Sequence, residues 1–191
     1  MTTSSIRRIM TGFGSAGRST LLPVETVPIE EFVAIPGFAV PVVASMSPGS
    51  DHAAASQDTK SLIPPPGGAT FTFLSLAPAS WSARADFDQA AANTEMAARL
   101  PQFATLFDAD RPGMHATPTV DYGVVISGQA VLEMDDGSEI VLHPGDVFVQ
   151  NATRHAWHNR GDVPALLALV MIGVQAQDDA LEFSKTTGES L

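Results

Sequence analysis

From His115 to Ile172 the chain is a close succession of short β-type runs separated by strong turn signals, and this pattern most restricts the fold. Val124-Val125-Ile126, Ala130 to Met134, Glu139 to Leu142, Val147 to Gln150, Arg154 to Asn159 and Ala165 to Ile172 are short and rich in β-forming residues. Asp135-Asp136-Gly137 is a hairpin signal, because glycine supplies the left-handed backbone such a turn needs. Pro144-Gly145-Asp146 marks another turn. Connections this short predict antiparallel pairing, in a small barrel or double-sheet sandwich over about residues 69 to 173.

Upstream the pattern changes twice. Ala69 to Leu76 reads as a strand with Phe71 and Phe73 on one face. Asp86 to Leu100 is Ala-rich, with Asp86 and Asp88 near its start and Arg99 near its end, which predicts one helix closed by Pro101. Phe103 to Met114 then reads as a loop. Near the amino terminus, Ile6 to Met10 and Thr20 to Val24 are short strands around the Gly-rich turn Gly12 to Gly17, and Phe38 to Ala44 is another apolar run. Ser45 to Gly68 is a Ser-, Ala-, Pro- and Gly-rich loop. The expected organisation is an amino-terminal arm and loop over residues 1–68, a barrel over 69–175 and a polar tail over 176–191.

Composition narrows the chemistry. A net charge of −11 and a pI near 4.6 argue against nucleic acid and against an anionic membrane surface, since both call for a basic patch. Cysteine is absent, so a metal must be held by His, Asp or Glu, and the composition fits a reducing cytoplasm. Arg7 and Arg8 are followed by no apolar stretch of the kind a secretory signal carries, and no window of eighteen apolar residues is present. With 45% apolar residues, the 191-residue chain can bury a sizeable core.

Two histidines and a carboxylate, His115, Asp121 and His155, stand near the starts of strands in the β-rich region. Two neutral imidazoles plus one carboxylate suit a divalent transition ion with open coordination positions. The structural alternatives are a loop histidine, a core histidine beside Trp157, and an aspartate that caps backbone N–H groups. Thr117 shares a face with His115 on an extended segment, placed to hold a water or an Asp121 oxygen. Gln150 precedes the bend into His155 and is expected to donate a hydrogen bond to a ligand. Asp121, Thr117 and Gln150 are therefore the candidate catalytic residues. His158 is out of phase with His155 and should point away from the interior; His143 sits in a turn and should be solvated. Phe71, Phe73, Trp81, Phe103, Phe107 and Trp157 are candidates to wall an apolar pocket.

These turns and residues resemble the cupin superfamily, whose motifs are G-x5-H-x-H-x3-4-E-x6-G and G-x5-P-x-G-x2-H-x3-N. His115 stands at the first histidine, Asp121 at the glutamate and Gly128 at the closing glycine. His155 and Asn159 match the second motif's histidine and asparagine. The departures are specific. Ala109 stands at the opening glycine, Thr117 at the second histidine, and Gln150 and Ala152 at the proline and glycine of the second motif. Met114-His115-x-Thr117-x-Thr119-x-Asp121-Tyr122 and His155-Ala156-Trp157-x-Asn159 are similar to a subgroup of bacterial and fungal single-domain cupins.

The resemblance implies an all-β, cupin-like double-stranded β-barrel of jelly-roll type, with an amino-terminal β arm and one short helix. It implies a ligand set of His115, Asp121 and His155 for Fe2+, Zn2+, Mn2+ or Ni2+. An open two-histidine, one-carboxylate site suits a metal-dependent enzyme on a small organic substrate, aromatic or polyketide-like. Such a site runs dioxygen-dependent oxidation or cleavage, or Lewis-acid isomerisation, dehydration or cyclisation. A non-catalytic small-molecule-binding barrel and a metal-free storage or scaffold role are the alternatives. A homodimer is expected, because barrel edges are commonly covered and the strands Ile6 to Met10 and Thr20 to Val24 are free to pair across chains.

Overall fold

Two antiparallel sheets carry the molecule in the computed structural model, which describes residues 5–56 and 62–175. The tail expected over 176–191 lies outside the described residues. In chain order the strands are β1 (Ser5–Arg8), β2 (Thr11–Phe13), β3 (Ser19–Leu21), β4 (Glu25–Pro28), β5 (Val42–Met46), β6 (Ala54–Ala55) and β7 (Ala69–Leu76). Three helical segments follow, α1 (Ala79–Ser82), α2 (Gln89–Arg99) and α3 (Pro101–Ala104). The remaining strands are β8 (Thr119–Ser127), β9 (Ala130–Met134), β10 (Glu139–Leu142), β11 (Val147–Asn151), β12 (His155–His158) and β13 (Ala165–Gly173).

The larger sheet runs β11-β8-β13-β7-β5-β6, and a three-stranded sheet, β10-β9-β12, faces it. Chain-distant strands lie side by side: β13 pairs with β7 and with β8 along almost its whole length. This is the all-β jelly-roll arrangement expected from the turns. Between the sheets lie Val125, Ala130, Leu142, Phe148, Leu167 and Leu169. Gly128 links β8 to β9 with φ +75°, and a Cβ there would meet the Ala165 backbone at 2.7 Å, so only glycine closes this corner without strain.

Strand alternation decides which residues see the interior. On β7 the buried positions are Thr70 and Thr72, while Phe71 is 37% exposed. Phe71 and Phe73 do share a face, with ring centroids 5.5 Å apart, but Phe71 opens outward and neither ring walls the interior cavities. The expectation for these two is corrected by register: a period of two fixes partners on a face but not which face is buried.

The expected helix is present as α2, beginning three residues later than Asp86 because Asp88 caps it, accepting from Ala91 N at 2.9 Å. Two four-residue helical turns, α1 and α3, flank it; Pro101 ends α2 by starting α3. The amino-terminal strands do not stand free. β1 pairs with β4 and β2 with β3, a nested hairpin within one chain. Arg8, 6% exposed, ties this arm down by donating to the carbonyls of Val43 (2.6 Å) and Ser56 (3.0 Å) and by pairing with Glu25. Among the described residues no helix is long and apolar enough to cross a membrane.

Candidate functional site

His115 and His155 are 40 residues apart in sequence and directly opposite in space. Their backbones exchange both hydrogen bonds, His115 N to His155 O and His155 N to His115 O, each at 2.9 Å. Directly opposed residues on antiparallel segments project to the same face. The imidazole centroids accordingly lie 4.5 Å apart. The convergence of the two motifs is thus a property of one β-bridge.

Each ring is locked in one tautomer. His115 Nδ1 donates to the Gly113 carbonyl and His155 Nδ1 to the Thr153 carbonyl, both at 2.9 Å. A carbonyl only accepts, so the proton sits on Nδ1 and the lone pair on Nε2. This is the orientation in which metal-binding histidines are held by carbonyls behind them. Phe103 and Phe107 pack against His115, each with a centroid separation of 4.9 Å, and keep the ring from swinging. Burial lowers the pKa of both rings, and for His155 the neighbouring His115 adds to this, bringing it down to about 4. Both imidazoles are neutral at pH 7.

Asp121 lies in β8, opposite Gln150 in β11 and Met171 in β13. It is 4% exposed, and its Oδ1 is buried without a hydrogen-bond partner. Burial pushes its pKa up to about 6, with the Thr119 hydroxyl working in the opposite direction. His115, Thr117, Asp121 and His155 line one chamber of about 160 Å³, otherwise walled by apolar side chains including Phe103, Phe107, Leu169 and Met171. The Thr117 and Thr119 hydroxyls are hydrogen-bonded to each other at 2.8 Å. Among the described residues no group of three or more His, Cys, Asp or Glu is already gathered as a metal cage. Two neutral imidazoles with ring centroids 4.5 Å apart and an orphaned carboxylate oxygen in the same chamber nevertheless fit a divalent ion in donor chemistry.

Gln150 works at one remove. It does not line the chamber; both of its amide protons go to Thr153, one to the carbonyl at 3.0 Å and one to the hydroxyl. That carbonyl is the one holding His155 Nδ1. The turn it braces carries Ala152 at φ +53°, a left-handed residue at the place where the motif has glycine. No residue pattern signals this relay. His158 points away from the chamber, with Nε2 2.7 Å from Glu133 Oε2, and the His143 side chain is 65% exposed. Of the aromatic candidates, Phe103, Phe107 and Trp157 line the chamber, and Trp81 lines a separate cleft.

Residues 108–172 match the family model of the cupin domain. The chain is 48% identical over 54 residues to phomopsin biosynthesis cluster protein C' of Diaporthe leptostromiformis, covering 26% of this chain and 29% of that one. It is 37% identical over 78 residues to the cupin-domain-containing oxidoreductase fogC of Aspergillus ruber, covering 39% and 37%. Each match therefore spans about a third of the relative's length. Among solved structures, a putative ethanolamine utilization protein q from Salmonella typhimurium aligns over 91% of this chain and all of its own, with 9% identity and a TM-score of 0.41. Residues 108–172, about a third of the chain, are thus similar to a cupin domain, and this region includes His115, Asp121 and His155.

Proposed function

We propose that the protein is a divalent-metal-dependent enzyme that oxidises a small, largely apolar organic substrate. The paired, tautomer-locked histidines in an apolar chamber carry this reading. His115 and His155 hold the ion through Nε2, with Asp121 as the carboxylate donor. Such an ion would supply Lewis-acid and redox chemistry toward a chelating substrate and dioxygen. Two relatives, one named an oxidoreductase and one a biosynthesis cluster protein, support a redox role in small-molecule biosynthesis.

The chain's own groups divide the remaining work. Phe103, Phe107, Leu169 and Met171 exclude water from the chamber. Thr117 lines the chamber with its hydroxyl as a hydrogen-bonding group for a polar atom of the substrate. Asp121, ionising near 6, holds or releases a proton close to neutral pH when it is not a ligand. Gln150 is a positioning residue that fixes the Thr153 carbonyl and hence the His155 ring.

The protein acts as a cytoplasmic homodimer in this reading. Val149, Tyr122, Val170 and Phe71 follow one another across four paired strands, are 54%, 53%, 36% and 37% exposed, and form an uncharged row on a chain of net charge −11. Such a face suits a second copy of itself.

Oxygen uptake tests the enzymatic reading. Protein loaded with Fe2+ should consume oxygen only when a suitable phenol or β-diketone is added, and a folded His155→Ala variant should not. No uptake with any of these substrates, alongside phenol binding that ignores His155→Ala, would instead identify a non-catalytic binding barrel.

A further inference from the structure

A second cavity shares a wall with the chamber of the paired histidines. Phe38, Leu76 and Trp157, part of the chamber wall, also line a second and larger cleft of about 540 Å³. This cleft lies between residues 33–38, residues 76–91 and the Trp157–Asn159 end of β12. The chain has two tryptophans, Trp81 and Trp157, and both line it.

Most of the charged and polar side chains around the cleft already have partners within the chain. Arg84 holds Asp86 through two bonds of 3.0 Å. Asp88 caps α2, and His158 is paired with Glu133. Asn159 donates to the carbonyls of Leu76 and Val163 and accepts from Gly161 N. What remains for a ligand is aromatic and aliphatic surface, which recognises shape and planarity but not charge. Trp157 is braced from the barrel side by Phe148, at 4.9 Å, and by the edge of His155, at 6.1 Å.

Size completes the argument. A chamber of about 160 Å³ is close to the roughly 150 Å³ of a cavity that takes a single benzene. A substrate larger than one ring must extend past the shared wall. We propose that the cleft is the second compartment of the substrate site. It takes the aromatic or conjugated body of an elongated, uncharged molecule whose polar head sits at His115 and His155. Phe38, Leu76 and Trp157 form the partition that admits only a narrow, planar connection. The proposal rests on the chamber being the substrate site.

Intrinsic fluorescence reads this directly, since both tryptophans lie in the cleft. Phenol and 4-phenylphenol share one head and differ by one ring. The full chain should bind 4-phenylphenol at least about tenfold more tightly than phenol, with quenching, because the second ring buries apolar surface. Ala91→Phe places bulk into the cleft from the exposed side of α2, and Trp81→Ala removes one wall. Either variant, folded by circular dichroism, should bring the two affinities to within threefold while leaving that for phenol unchanged. Equal affinities in the wild type, no saturable binding of 4-phenylphenol, or an advantage that survives both substitutions would overturn the proposal. Failure of the chamber reading looks different: phenol binding would then ignore His155→Ala, whatever the second ring does.

Discussion

Asp121→Asn isolates the cost of keeping a carboxylate in the chamber. Burial moves this group from its ordinary 3.8 to about 6. Between those values the unfolded chain has released a proton that the folded chain retains, so stability falls as pH rises through the window. The penalty is absent well below pH 3.8 and complete above about pH 6. Integrated, it amounts to about 1.6 kcal/mol at pH 5 and about 3 kcal/mol at pH 7.5. An asparagine carries no such penalty, and its own packing cost is the same at both pH values. The stability of Asp121→Asn relative to wild type should therefore improve by about 1.4 kcal/mol between pH 5 and pH 7.5. Both pH values lie above the pI near 4.6, where solubility is lowest. His155 acts with the opposite sign. Its folded value near 4 lies below the ordinary 6.5, so its contribution is lost as pH falls through that window, equally in both proteins. Urea titrations in the presence of EDTA measure the difference. A relative stability that stays constant to within about 0.3 kcal/mol would refute a desolvated, proton-retaining Asp121.

Other outcomes follow from named contacts. Gln150→Ala removes both bonds to Thr153 and should weaken metal binding by about 10- to 100-fold, read by calorimetry with Mn2+, and Gln150→Glu, whose carboxylate cannot donate to the Thr153 carbonyl, should not restore it. Ala152→Gly should be neutral or stabilising by up to about 1 kcal/mol in urea titrations, unlike a typical Ala→Gly change, because the residue is left-handed at φ +53°. Gly128→Ala should cost more than about 1 kcal/mol in the same assay, from its left-handed φ and the approach to the Ala165 backbone. Light scattering should return twice the 20.0 kDa chain mass for the wild type, and a single chain for Val149→Glu with Val170→Glu.

The β-rich half was legible because hairpin signals and short apolar runs are local properties of the chain. Asp135-Asp136-Gly137 and Pro144-Gly145-Asp146 turn where expected, and β9 to β13 fall on the expected runs. The β-bridge that sets His115 against His155 was not readable from spacing alone, since its partners are joined through four intervening strands; the motif resemblance supplied it. Phe71 and Phe73 show the limit of periodicity, which pairs residues on a face without saying which sheet face is covered. The amino-terminal strands were visible, but their partners were not. β1 closes on β4 because Arg8 finds two carbonyls and Glu25 within the same chain. The Gln150–Thr153–His155 relay is local, but it depends on the exact shape of one turn, and the cleft beside Trp81 depends on long-range packing; no residue pattern announces either.

Metal content per chain tests the central claim most directly. Protein purified without chelator, equilibrated with Fe2+ or Mn2+ under anaerobic conditions and desalted, should carry close to one ion per chain. Folded His115→Ala and His155→Ala should retain almost none, and Asp121→Asn an intermediate amount. A wild type that emerges without metal, or variants that retain as much as the wild type, would contradict a site built on His115, His155 and Asp121.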